Sequence, residues 1–139
     1  MLASCQSLIS NGPEQVQIDD LSLQSPKNQS KALKYAIQLL ENGKFVQADQ
    51  IISQVIRING SNRVALTLNE QLHQSSQQLF KTSRTSKYKV KRGDSLGSIA
   101  KIWLGDSIYF VSLARLNQIS NPAKIKPGLE LILPVVSTS

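Results

Sequence analysis

The stretch that most constrains the fold runs from Tyr88 to Pro134, where two short alternating segments bracket two amphipathic helical ones. Tyr88 and Val90 alternate with Lys89 and Lys91, the period of a strand with one buried face. Gly93-Asp94 then turns the chain, and Asp94 or Ser95 can cap the following helix by accepting hydrogen bonds from its free amides. Leu96, Ile99, Ala100 and Trp103 recur at i, i+3, i+4 and i+7, a single apolar helical face. Gly105-Asp106-Ser107 reads as an inter-helix turn, and Ile108, Phe110, Val111, Leu113 and Leu116 lead through a second helix ending near Asn117. After a loop through Asn121-Pro122, Lys126-Pro127-Gly128 turns into a last strand. There Leu129, Leu131 and Leu133 alternate with Glu130 and Ile132 until Pro134 stops it. A unit this small, in a chain with one cysteine and hence no internal disulfide, leans on a single core. The expected core is Val90, Ile99, Trp103, Leu113, Leu116 and Leu131.

Two motifs carry a family resemblance: Tyr-x-Val-x-x-Gly-Asp-Ser-Leu-x-x-Ile-Ala from Tyr88, and Asn-Pro-x-x-Ile-x-Pro-Gly-x-x-Leu-x-x-Pro from Asn121. In their order and spacing they resemble a LysM domain, covering about residues 87–136. The resemblance implies a βααβ module that binds N-acetylglucosamine-containing glycans such as peptidoglycan. It also implies a shallow groove with one wall at Gly93, Asp94, Ser95 and Leu96. The other wall runs from Ile119 through Asn121, Pro122, Ala123 and Lys124 to Ile125. Backbone amides and carbonyls suit the N-acetyl group, while Leu96 and Ile125 offer an apolar floor for its methyl and the ring face. Gly93 and Asp94 are equally what a turn and a cap require.

Upstream the period is helical. Leu33, Ile37 and Leu40 recur at i, i+4 and i+7 beside Ala36, with Ser30 a candidate N-cap and Gly43 a C-terminal stop. A second helix starts near Phe45, striped by Ala48, Ile51, Ile52, Val55 and Ile58, and stops at Asn59-Gly60. A third is expected from about Asn62 to Leu79, with Val64, Ala65, Leu68 and Leu72 on one face. The run Gly43-Lys-Phe45-Val-Gln-Ala48 with Ile51, Val55 and Ile58-Asn59-Gly60 resembles one tetratricopeptide repeat. A lone repeat must be capped by the third helix, the C-terminal module or another chain. An unrelated stack of three helices is the alternative. Either way residues 30–80 read as an element that spaces or binds a protein partner, with Tyr35 and His73 as surface or packing residues.

Residues 1–29 read as an N-terminal signal followed by a flexible tether, and residues 81–86 as a linker. Leu2-Ala3-Ser4-Cys5 is similar to a bacterial lipobox, which implies lipidation at Cys5 and a membrane anchor. Gln6 after that cysteine favours the outer membrane, and so the periplasmic side of it. No run of about 18 apolar residues is present to span a bilayer.

The charge is uneven. Residues 1–80 hold six basic and six acidic side chains, and residues 81–139 hold ten and three, the whole net charge of +7. This excess reads as a solvated basic surface or as attraction to a polyanion such as the cell wall. Nucleic acid is disfavoured, since no helix-turn-helix or zinc-ligand pattern accompanies it. One histidine, one cysteine and no close acid pair leave no catalytic constellation, no metal site and no cofactor motif. The expectation is an α+β chain that is not an enzyme: a βααβ LysM module behind an all-α tetratricopeptide-like hairpin with a third helix. It would be an envelope lipoprotein that holds a partner, such as a secretion or pilus assembly, at the peptidoglycan. Two other readings stay open: a regulator of a peptidoglycan synthase or hydrolase, and a structural subunit whose LysM fold makes protein contacts.

Overall fold

A computed structural model describes residues 21–136. Cys5 and most of the tether expected over residues 1–29 lie outside the described residues. The described chain opens with a 3-10 turn, Ser22–Gln24, whose Leu23 is fully buried. Helix α1 spans Pro26–Glu41, so it begins before the Ser30 cap expected from sequence. Pro26 occupies the first turn, where its missing N–H costs no helical bond and its fixed φ is already helical. Gln29 secures this start, its Nε2 donating to Leu23 O at 2.9 Å while its Oε1 accepts from Asn59 Nδ2 at 3.0 Å.

Helix α2, Phe45–Ile58, returns antiparallel against α1. Ala36 and Ala48 are both fully buried, and their small side chains let helices approach closely. Asn62 caps helix α3, Arg63–His73, accepting from Ala65 N at 3.1 Å. Ala65 and Leu68 turn inward, whereas Val64 is largely exposed. The single third helix expected to Leu79 is instead two. Ser75 and Gln78 form a capping box that starts a new helix, α4, Ser76–Phe80, and Gln74 before it is extended.

Residues 81–86 are not a free linker. Arg84 O accepts from Val135 N at 2.9 Å, and strand β1, Thr85–Lys89, already includes the last two of them. Helices α5, Leu96–Leu104, and α6, Phe110–Leu116, follow. A 3-10 turn at Ser107–Tyr109 joins them, with Asp106 Oδ1 accepting from Ile108 N at 2.9 Å. A further 3-10 turn, Pro122–Lys124, precedes strand β2, Glu130–Pro134. The strands pair antiparallel in the register Tyr88↔Leu131, giving the β-α-α-β order expected.

Val90, Ile99, Leu113, Leu131 and Leu133 form the buried centre of this C-terminal module, with Leu116 only half-buried. Trp103 does not join them. It is 46% exposed, and its ring lies beside that of Tyr88, centroids 6.0 Å apart. Leu104, at i+8 from Leu96 on the same apolar stripe as Ile99 and Ala100, is the buried residue at that end of α5. Leu129 precedes β2 and is 40% exposed, so it stays outside the core that Leu131 and Leu133 enter.

The helical segment and the C-terminal module share a buried interface. Gln71 of α3 is fully buried. Its Oε1 accepts from Ser112 N at 2.9 Å and Ser112 Oγ at 3.1 Å, and its Nε2 donates to Ile108 O at 2.8 Å. Arg115 adds bonds from Nη1 to the carbonyls of Gln71 and Gln74. Tyr109, at the start of α6, provides no side-chain cap, so Gln71 satisfies a first-turn amide of α6 from another helix.

Candidate functional site

A cavity of about 340 Å³ opens where the module meets the helical segment. That volume lies near the lower end of small-molecule sites, about 300–1,000 Å³. One side is the start of α5: Ser95, Leu96 and Gly97. The facing side is Pro122 and Ala123 of the last 3-10 turn, and Phe110 at the start of α6 also lines it. Glu41 and Asn42, from the end of α1, complete the lining.

Each wall is held by local chemistry. Ser95 and Ser98 form a capping box: Ser95 Oγ accepts from Ser98 N at 3.0 Å, and Ser98 Oγ accepts from Ser95 N at 2.9 Å. Leu96 is only 2% exposed, so it belongs to the core as much as to the cavity. Asn121 Oδ1 accepts from Ala123 N at 3.1 Å and holds the opposite turn, where Pro122 fixes φ. The walls meet the helical segment at Gly43, whose φ is +79°. A Cβ there would sit 2.0 Å from Ser120 O, a separation no side chain tolerates. The glycine expected to stop a helix and turn the chain into the next one therefore also admits the backbone that leads into the Pro122 wall.

Of the residues expected to form the groove, the cavity brings together Ser95, Leu96, Pro122 and Ala123. Gly93, Asp94, Ile119, Asn121, Lys124 and Ile125 are not among its lining residues. Gly93 has φ +89° and serves the turn. Asp94 does not cap α5; its Oδ2 accepts from Tyr88 Oη at 2.6 Å and Lys91 N at 2.9 Å. The Tyr88 hydrogen bond, then the Lys91 amide, hold the Asp94 carboxyl below the usual carboxylate range. The same hydrogen bond to Asp94, with some desolvation, raises the Tyr88 phenol. Asp94 is thus the clasp of the turn behind the wall.

Sequence reasoning missed Gly97, Phe110, Glu41 and Asn42 in the lining. Gly97 and Phe110 sit beside expected site residues and had a signal, the absent side chain one residue after Leu96 and an apolar residue opening a helix. Glu41 and Asn42 had none, being polar residues at the exposed end of a helix. Asn117 was read only as a helix stop. Its Nδ2 donates to Ile132 O at 2.9 Å and its Oδ1 accepts from Ile132 N at 2.7 Å, pairing the outer edge of β2 like a third strand. Among the described residues no group of three or more His, Cys, Asp or Glu could hold a metal, and no helix is long and apolar enough to cross a membrane.

Residues 88–134 match the LysM domain family. The C-terminal module is therefore a LysM domain, a binding fold rather than a catalytic one, and the helical segment precedes it. An uncharacterized protein of Deinococcus radiodurans is 25% identical over 146 aligned positions, which cover 91% of this chain. The match spans 58% of that relative's length. No solved structure matches the chain.

Proposed function

We propose that this chain is an adaptor of the bacterial envelope that binds N-acetylglucosamine-containing glycan, peptidoglycan first, through its LysM domain. The observation that carries the reading is the convergence of Ser95, Leu96, Pro122 and Ala123 on one cavity inside a LysM domain. LysM domains bind such glycans, and this cavity suits a neutral, partly apolar ligand. Leu96 and Phe110 give it apolar surface, and the turn backbones and Ser95 give it polar edges. Lys89, Lys91, Arg92, Lys124 and Lys126 are exposed on the same module and add a salt-sensitive attraction to wall carboxylates. A single shallow site binds weakly, and tethering raises its effective affinity.

The rest of the reading is an extension of this. Lipidation at Cys5 would anchor the chain on the periplasmic side of the outer membrane, and the tetratricopeptide-like segment would hold a protein partner such as a secretion or pilus assembly. Co-sedimentation of the full chain with purified peptidoglycan sacculi, at low and high salt, tests the glycan step. Ala123→Trp serves as the blocked groove, because Ala123 lines the cavity and is exposed. Salt-resistant pelleting that the variant loses is the expected result. No pelleting, or pelleting that salt abolishes and the variant retains, would overturn it in favour of a LysM fold used for protein contacts.

A further inference from the structure

We infer that the glycan site is composite, with Glu41 and Asn42 of the helical segment forming a third wall that reads the hydroxyl groups of the bound sugar. The inference rests on the glycan reading above and names what the LysM walls do not supply. Glu41 and Asn42 line the same cavity as Ser95 and Pro122. Their position is imposed rather than incidental. The next residue, Gly43, lies so close to Ser120 that a Cβ would meet its carbonyl oxygen at 2.0 Å, and Ser120 leads directly into the Asn121–Ala123 turn. A second clamp, Gln71 with Ser112 and Ile108, locks the helical segment to α6 and the turn before it. The third wall is therefore held from two directions.

Its chemistry is that of an acceptor. Glu41 is exposed and has no ion pair or side-chain hydrogen bond among the described residues. Asn42 gives one of its two Nδ2 hydrogens to Gln38 O at 2.8 Å, which leaves Oδ1 to accept and one N–H to donate. A carboxylate and an amide oxygen beside a sugar site accept from ring hydroxyls, and charge-assisted bonds of this kind are the stronger ones. Glu41 also repels an acidic group at that edge, so the site takes a neutral N-acetylated oligosaccharide in preference to one carrying a carboxylate there.

The test is isothermal titration of the full chain with penta-N-acetylchitopentaose. Glu41→Ala and Asn42→Ala are compared singly and together, with Glu70→Ala, an exposed acid on α3, as the charge control. The double variant is expected to lose at least roughly thirtyfold in affinity, the lower end for two lost hydrogen bonds of which one has a charged partner, and Glu70→Ala to change little. Glu41→Gln should recover part of the loss, since an amide oxygen still accepts. Unchanged thermal melting confirms that folding is intact, Glu41 being exposed. If the unaltered chain binds but the double variant binds within twofold of it, the third wall is refuted and the glycan reading stands. No binding by the unaltered chain overturns both.

Discussion

Replacing Gln71 with Ala should separate the two halves of the molecule energetically. The side chain is fully buried and makes three short hydrogen bonds across the interface, to Ser112 N, Ser112 Oγ and Ile108 O. Alanine removes them all but keeps the backbone carbonyl that Arg115 uses. The Ser112 hydroxyl can turn elsewhere, but the Ser112 amide and the Ile108 carbonyl are left without this partner at a buried interface. At about 1–3 kcal/mol for each of these two orphans, the expected loss is about 2–6 kcal/mol. That is a large fraction of the ~5–15 kcal/mol that holds a typical domain folded. Urea denaturation of the full chain, followed by Trp103 fluorescence and far-ultraviolet circular dichroism together, is the assay. With a slope of about 2 kcal/mol per molar urea, the midpoint should fall by about 1–3 M. The two probes should coincide in the parent and diverge in the variant, because Trp103 reports the LysM domain and the dichroism is dominated by α1 to α3. Gln71→Glu should also destabilise, since its carboxylate has no proton to give Ile108 O. A Gln71→Ala loss below about 1 kcal/mol, with coincident transitions, would refute the reasoning, since a buried amide with satisfied partners cannot be that cheap to delete.

Gly43→Ala should destabilise by at least ~1–2 kcal/mol from its positive φ alone, with more from the Ser120 clash, read as a lowered melting temperature. The Tyr88–Asp94 clasp predicts a pH dependence of defined sign. The folded Asp94 carboxyl lies below its ordinary value, so its contribution is complete above that value and is lost as pH falls through the depressed one. The Tyr88 phenol lies above 10.0, so its contribution is present below 10.0 and is lost as pH rises through the raised value. Tyr88→Phe should therefore be less stable than the parent at neutral pH, with the gap closing in acid, as measured by denaturation at pH 7 and near pH 2; a gap independent of pH would mean that the hydroxyl acts through packing alone. Asn117→Ala should cost about 1–2 kcal/mol and speed hydrogen exchange at the Ile132 amide, which loses its 2.7 Å acceptor at an exposed edge.

Much of the fold is legible because its signals are local. The alternation around Tyr88 and Leu131, the Ser95 cap and the apolar stripe through Ile99 each depend on neighbours within one or two helical turns. The same holds for the two walls, at least at Ser95, Leu96, Pro122 and Ala123, because turn chemistry is written within three or four residues. Where reading failed, a nearby competitor won. The Ser75–Gln78 box ended the third helix, Pro26 started the first one early, and Asp94 was taken by Tyr88 before it could cap α5. Trp103 followed the stripe of α5 but stays 46% exposed, since a stripe tells which way a residue faces without telling whether anything covers it.

The β-α-α-β order of the LysM domain and the two turns that wall its cavity are written in the chain, since they follow from periodicity and capping over short separations. That Gln71 caps α6 from 41 residues away, that Gly43 admits Ser120, and that Glu41 and Asn42 stand at the cavity's third side emerge only on folding. A glutamine, a glycine and a helix-end Glu-Asn pair carry no mark of their distant partners. Burial and hydrogen bonding at those positions arise only when two separately patterned segments dock, and docking is a property of surfaces rather than of any one stretch of chain.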